Sequence, residues 1–233
     1  RMSSDNQRTG IAMGVHERGD GAADALPALE GVTIRKIFQN IEAVAELHAV
    51  VSSSRGQYLH RRLLHALRGS LTLHEIERLR TELGVEEYER HMNKLSKWGM
   101  VEPVQSTTGI TGYARTGTGE EVLNAIRELE RKIGEDRERI ICQAGMGSNA
   151  IKLFLTIFGN NKELEPSSRE VVYTPLEIGQ LMRLFARSVE GISSMDKLDD
   201  AGLVSYLDDG NIHVNPRRST AFYAYLKKLY RLL

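Results

Sequence analysis

The sequence predicts a mainly α-helical protein made of two similar units, each a set of short helices closed by a two-stranded ribbon. Three observations carry this expectation. Apolar residues recur at helical spacing over most of the chain from Val32 onward. Two stretches, KLSKWGMVEP and KLDDAGLVSY, share one order: a helix end, a glycine, then a strand start. After a polar turn each is followed by a second short run, GYARTG in one and NIHVN in the other. The 233 residues leave room for two small domains. A charged fraction of 27% beside a hydrophobic fraction of 41% excludes a collagen, a mucin or a wholly disordered chain. Lys+Arg and Asp+Glu both total 31, so any positive surface is local rather than global. No apolar stretch is long enough to span a bilayer, RMSSDNQRTG lacks a signal-peptide core, and a lone cysteine cannot form an internal disulfide. The expectation is a cytoplasmic chain without membrane contact.

Taken in order, residues 1–31 carry Gly, Ala, Ser and charge without an apolar period, which predicts a disordered tail. Ile34, Ile37, Phe38, Ile41, Val44, Ala45 and His48 then mark one amphipathic helix within 32–56, ended by Ser52-Ser53-Ser54 and Gly56. Its stripe needs cover, either across the two units or between the subunits of a homodimer. The first unit occupies 57–117. Leu59, Leu63, Leu64 and Leu67 form a stripe stopping at Gly69, and Thr72 with Glu75 makes a capping box for a helix running to Gly84. A third helix turns Tyr88, Met92 and Leu95 inward and closes at Trp98-Gly99, before the strand MVEPV, the loop QSTTGIT and the strand GYARTG. That is the order of a winged helix-turn-helix. Over 118–148, Val122, Ile126, Leu129, Ile133 and Ile140 mark a long linking helix, kinked at Gly134.

The second winged helix spans 149–215. It opens with a helix carrying Ile151, Phe154, Leu155 and Phe158, followed by a polar loop, NNKELEPSSRE. Thr174-Pro175 is an N-cap with proline at the first helical position, ahead of Leu176, Ile178, Leu181, Met182 and Phe185. A helix with Ile192, Met195 and Leu198 precedes a hairpin turning at Asp209-Gly210. The last helix, 216–233, stacks Phe222, Tyr223, Leu226, Leu229, Tyr230 and Leu233.

LTLHEIERLRTELGVEEYERHMNKLSKWGMVEP followed by GYARTGTGEEVL resembles the winged-helix transcription regulators of the MarR, PadR and ArsR kind. The specific part is Tyr113-x-Arg115-Thr116-x-Thr118-Gly119-x-Glu121-x-Leu123, similar to their Y-x-L-T-x-x-G-x-x-x-L junction between wing and following helix. Tyr113 anchors the returning strand, Thr116 or Thr118 caps the next helix, and Gly119 lets that helix start close to the ribbon. The resemblance implies a dimeric, sequence-specific regulator that binds double-stranded DNA. Its third helix would enter the major groove, presenting Arg90, His91, Asn93, Lys94 and Lys97, with Arg115 at the wing. Arg90 and Asn93 suit base edges, while Lys94, Lys97 and Arg115 suit phosphates. Against this, the helix opens on Glu86 and Glu87, and Tyr58–Gly117 holds nine Lys/Arg against seven Asp/Glu, a net of only +2. The alternative is a structural adaptor whose tandem winged helices grip protein in chromosome maintenance or beside a polymerase. In the second unit, Ser193, Ser194, Asp196, Lys197, Asp199 and Asp200 suit a protein partner better than phosphates, and Arg217-Arg218 is its basic pair.

No catalytic, cofactor or metal set is expected. Ile140-Ile141-Cys142-Gln143 with GMGSNA superficially fits a strand–glycine turn–helix nucleotide fingerprint, but no βαβ pattern follows. Histidines 16, 48, 60, 65, 74, 91 and 213 are unclustered, and His60 and His65 are five apart, poor spacing for a shared metal. Cys142, beside Ile140 and Ile141, reads as a small buried hydrophobe.

Overall fold

The computed structural model describes residues 33–52, 59–67, 73–105, 111–134, 146–160, 171–174, 177 and 190–233. The expected tail, the Thr72 cap, Ile140, Cys142 and the helix through Ile178 and Phe185 lie outside these residues. The protein is mainly helical with two small antiparallel sheets. Helix α1 covers 33–39 and α2 Ile41–Ser52, followed by α3 (Leu59–Ala66), α4 (Leu73–Leu83) and α5 (Val85–Lys97). Strands β1 (Val101–Gln105) and β2 (Thr111–Arg115) form the first sheet, with Val101 opposite Arg115. After α6 (Gly117–Ile133) and α7 (Ser148–Asn160) come β3 (Val171–Tyr173), α8 (Glu190–Asp200), β4 (Val204–Tyr206), β5 (Ile212–Val214) and α9 (Pro216–Arg231). The second sheet has the order β3-β5-β4. No helix among the described residues is long and apolar enough to cross a membrane.

The two shared sequence stretches fold alike. At the end of α5, Gly99 (φ 62°) donates its N–H to Ser96, and Met100 donates to Leu95. At the end of α8, Gly202 (φ 63°) donates to Asp199, and Leu203 to Leu198. Both ends are Schellman caps, in which a left-handed residue turns the chain out of the helix and an apolar pair covers the turn. Here the pairs are Leu95–Met100 and Leu198–Leu203, all buried. The returning strands also close alike: Thr116 N–H donates to the Met100 carbonyl at 3.1 Å, and Asn215 N–H to the Leu203 carbonyl at 3.0 Å. Each of those residues then caps the next helix, Thr116 accepting from Gly119 N–H and Asn215 from Arg218 N–H. Since only glycine holds a left-handed backbone cheaply, Gly99→Ala is expected to cost about 1 kcal/mol, read as a lower urea midpoint at unchanged slope. Gly202→Ala should cost more, because its Cβ would also run into the Arg218 guanidinium.

Four sequence expectations need correction. The single helix expected from Val32 to Val51 is interrupted at Asn40, whose side-chain amide donates to the Lys36 carbonyl at 2.9 Å and competes with the backbone ladder. Gly134 (φ 85°) does not kink a long helix but ends α6, its N–H closing on Glu130 at 2.7 Å. A strand, β3, follows the expected polar loop and pairs with β5. Leu233, expected on the inner stripe of the last helix, is exposed. The hairpin expected at Asp209-Gly210 is present, with Gly210 at φ 80° and Leu207 N–H bonded to Asn211 across the three-residue loop.

The core is continuous and centres on segments outside both ribbons. Helix α2 packs on α3, α7 and α9, burying Ile41, Val44, Leu47 and Val51, so its stripe is covered within the chain. Helix α9 runs along α6 and joins α7 through aromatic contacts: Phe222 meets Phe154 edge-on at 5.1 Å, and Tyr223 stacks on Phe158 at 4.7 Å.

Candidate nucleic-acid interface

Gly84 (φ 81°) separates α4 from α5 and sets α5 at an angle that turns Tyr88, Met92 and Leu95 fully inward. Its helical period therefore leaves Glu86, Glu87, Arg90, Asn93, Lys94 and Lys97 on the outer surface. Glu86 and Glu87 sit in the first turn and Lys94 and Lys97 in the last, the polarity that complements a helix dipole. This accounts for the glutamates without reference to any ligand. Glu89 acts inside the protein, accepting from Arg80 at 2.6 Å and from the Tyr113 hydroxyl at 3.2 Å, and so ties α4, α5 and β2 together. Burial and the Glu89 charge push the Tyr113 phenol upward, while burial pushes Tyr88 up to about 12.

The six residues expected to contact DNA have separate fates. Arg90 is exposed and paired with Glu87 one turn back. Asn93 is exposed and has no side-chain partner among the described residues. Lys94 is exposed and makes no ion pair among them. Lys97 reaches instead to Glu46 of α2 at 2.6 Å and lies over the Trp98 ring. His91 leans inward, with its Nδ1 2.8 Å from His60 Nε2. Arg115 turns in from β2, donating to the Leu64 carbonyl at 2.9 Å and pairing with Glu120. Its guanidinium fastens the ribbon to α3 and α6 and is not presented to a phosphate. The structure thus gathers Arg90, Asn93 and Lys94 on one exposed face and removes His91 and Arg115 from it.

No family model matches this chain, and no curated protein or solved structure matches it.

The corresponding surface of the second unit has different chemistry. Ser194, expected to be exposed, is buried, while Ser193, Asp196 and Asp200 face outward. Burial, then Asp200 and Asp196, raise the Asp199 carboxyl above its ordinary range. Beside it the ribbon exposes Tyr206 (50%) and Leu207 (39%), two adjacent large apolar side chains at the start of the hairpin turn. Arg217 donates through Nε to the Lys132 carbonyl at 3.1 Å, and Arg218 to the Gly202 carbonyl at 3.3 Å. The basic pair is therefore engaged in holding α9 against α6 and the α8 cap. Sequence reading missed the His60–His91 contact, since the two are 31 residues apart and neither lies on a spacing motif. Among the described residues no group of three His, Cys, Asp or Glu is placed to hold a metal ion.

Proposed function

We propose that this protein is a DNA-binding transcription regulator built from two winged helices in tandem, contacting double-stranded DNA through α5. The observation that carries the reading is the exposed triplet Arg90, Asn93 and Lys94, opposite the face that buries Tyr88, Met92 and Leu95. Its spacing of three and four residues aligns the side chains on one helical edge. Arg matches guanine and Asn matches adenine through paired hydrogen bonds, and Lys94 supplies a phosphate contact. The matched caps of α5 and α8 support the tandem winged-helix reading, as does the order helix, strand, helix, strand, strand among the described elements from α7 to β5. A homodimer would set two α5 helices on successive half-sites. We assign the chain no catalysis, and place it in the cytoplasm on the nucleoid.

A fluorescence-anisotropy titration of genomic duplex fragments at two salt concentrations tests this. Arg90→Ala with Asn93→Ala should cost about 1–3 kcal/mol on a preferred fragment and relax sequence preference. Lys94→Ala should weaken all fragments alike and flatten the salt slope. Binding without a salt slope, indifferent to all three substitutions, overturns the reading.

A second reading, that of a protein-gripping adaptor, is favoured by the other unit. Asp196, Asp199, Asp200, Asp208 and Asp209 make no ion pair among the described residues and flank exposed Tyr206 and Leu207. Such a surface repels phosphates and suits a protein partner, so regulator and adaptor roles fall to different units.

A further inference from the structure

Two imidazoles meet beneath the exposed triplet. His60 of α3 is buried, its Nε2 lies 2.8 Å from Nδ1 of His91 on α5, and the rings meet edge-on at 4.6 Å. A hydrogen bond between imidazoles needs one N–H and one lone pair. With both rings protonated, each facing nitrogen carries a hydrogen, two like charges meet, and the bridge cannot persist. We propose that the His60–His91 bridge is an acid-sensitive latch that clamps α5 onto α3, and that its opening loosens the helix carrying Arg90, Asn93 and Lys94. The latch is a property of the fold itself. Only its consequence for DNA rests on the function proposed above.

The groups around the pair set its direction. On α5, Arg90 and Lys94 oppose protonation of both rings. The Glu87 carboxylate, 3.3 Å from His91 Nε2, favours it on His91. From α2 the Val50 backbone favours it on His60. Burial outweighs these aids, lowering His60 to about 4 and holding His91 below its ordinary value. Both rings are therefore neutral at pH 7, and the latch is closed. Other polar ties also hold α5: Glu89, two residues before His91, binds Arg80 and Tyr113, and Lys97, its last residue, binds Glu46. The bridge is the tie that runs from α5 to His60 of α3.

Backbone hydrogen exchange on the whole chain without DNA, corrected for intrinsic pH dependence, reads the latch from pH 7 to pH 4.5. Protection of α5 amides is expected to fall about tenfold relative to α8 in the unmodified protein, and to stay level in His60→Phe. Parallel loss in α5 and α8, or an undiminished loss in His60→Phe, overturns the proposal. Should His60→Phe not fold, nitrogen-detected histidine titration of the unmodified protein decides. Coupled titration of His60 and His91 below the ordinary range supports the latch, and independent titration near 6.5 overturns it. A duplex fragment that never binds while α5 still loosens refutes the DNA reading and leaves the latch standing. Binding with no selective loosening does the reverse.

Discussion

Gly119→Ala should destabilise the protein by about 3 kcal/mol, whereas Gly117→Ala, two residues earlier on α6, should be neutral or stabilising by about 0.5 kcal/mol. Gly119 is buried in the first turn of α6, beside Met100 and Arg115 of the ribbon. A Cβ there would collide with the Met100 carbonyl oxygen and come within 2.8 Å of Arg115 Cγ. Neither neighbour can give way cheaply. The carbonyl accepts the Thr116 N–H at 3.1 Å, and the Arg115 side chain is held by the Leu64 carbonyl and Glu120. Relief requires lifting the start of α6 off the ribbon, which also stretches the 3.2 Å capping bond from Gly119 N–H to Thr116. Gly117 meets nothing within 4 Å and has no left-handed backbone, so an added methyl mainly narrows the unfolded ensemble. Equilibrium urea unfolding of the two variants checks the contrast. Equal effects of both would mean that the junction leaves room for a side chain.

Acid should weaken the protein through His48 even where no interface is involved. The ring is fully buried between α2 and α9, with Nδ1 3.2 Å from the Tyr225 hydroxyl, Nε2 without a partner among the described residues, and Phe222 and Tyr225 edge-on to it. Burial lowers its pKa from 6.5 to about 4. The folded state therefore keeps the ring neutral while the unfolded chain takes up a proton below pH 6.5. Stability is complete above that value and declines as pH falls toward 4, by about 3 kcal/mol across the window. His60, shifted the same way, adds to the decline. Urea midpoints at pH 7 and pH 4.5 measure it. In His48→Gln the pH dependence should shrink by most of that amount, whatever the substitution costs at pH 7.

The elements legible in the sequence are those specified by neighbouring residues. Tyr88, Met92 and Leu95 define the inner face of α5 by period alone. The glycines at 99 and 202 mark their caps because a Schellman turn is completed within six residues. Thr174 behaves likewise: its hydroxyl accepts from Glu177 N–H and the Glu177 carboxylate accepts from Thr174 N–H, a reciprocal box formed within one turn. What escapes a sequence reading depends on partners distant along the chain. Strand β3 has three residues and is recognisable only by its pairing with β5, some forty positions later. Arg115 reads as a phosphate contact because its exposure depends on where Leu64 and Glu120 lie, and helix periodicity is silent about that. For the same reason the sequence does not bring His60 and His91 together. The junction residues also show one requirement met in two ways. Where the first unit needs glycine at the third position of α6, the second has Arg218 at the third position of α9, its guanidinium reaching to Gly202.

Helix α2 has a consequence for how this chain can be divided. It belongs to neither ribbon-bearing unit, yet α3, α7 and α9 all rest on it, and His48 binds Tyr225 of α9 while Glu46 binds Lys97 of α5. Excising 57–117 would uncover Leu63, Leu64 and Leu67, and excising 149–233 would uncover the apolar faces of α7 and α9. Neither fragment is therefore expected to fold alone, and removal of the first fifty-two residues should fell both together. Calorimetry of the intact chain is then expected to give one melting transition spanning both ribbon-bearing units.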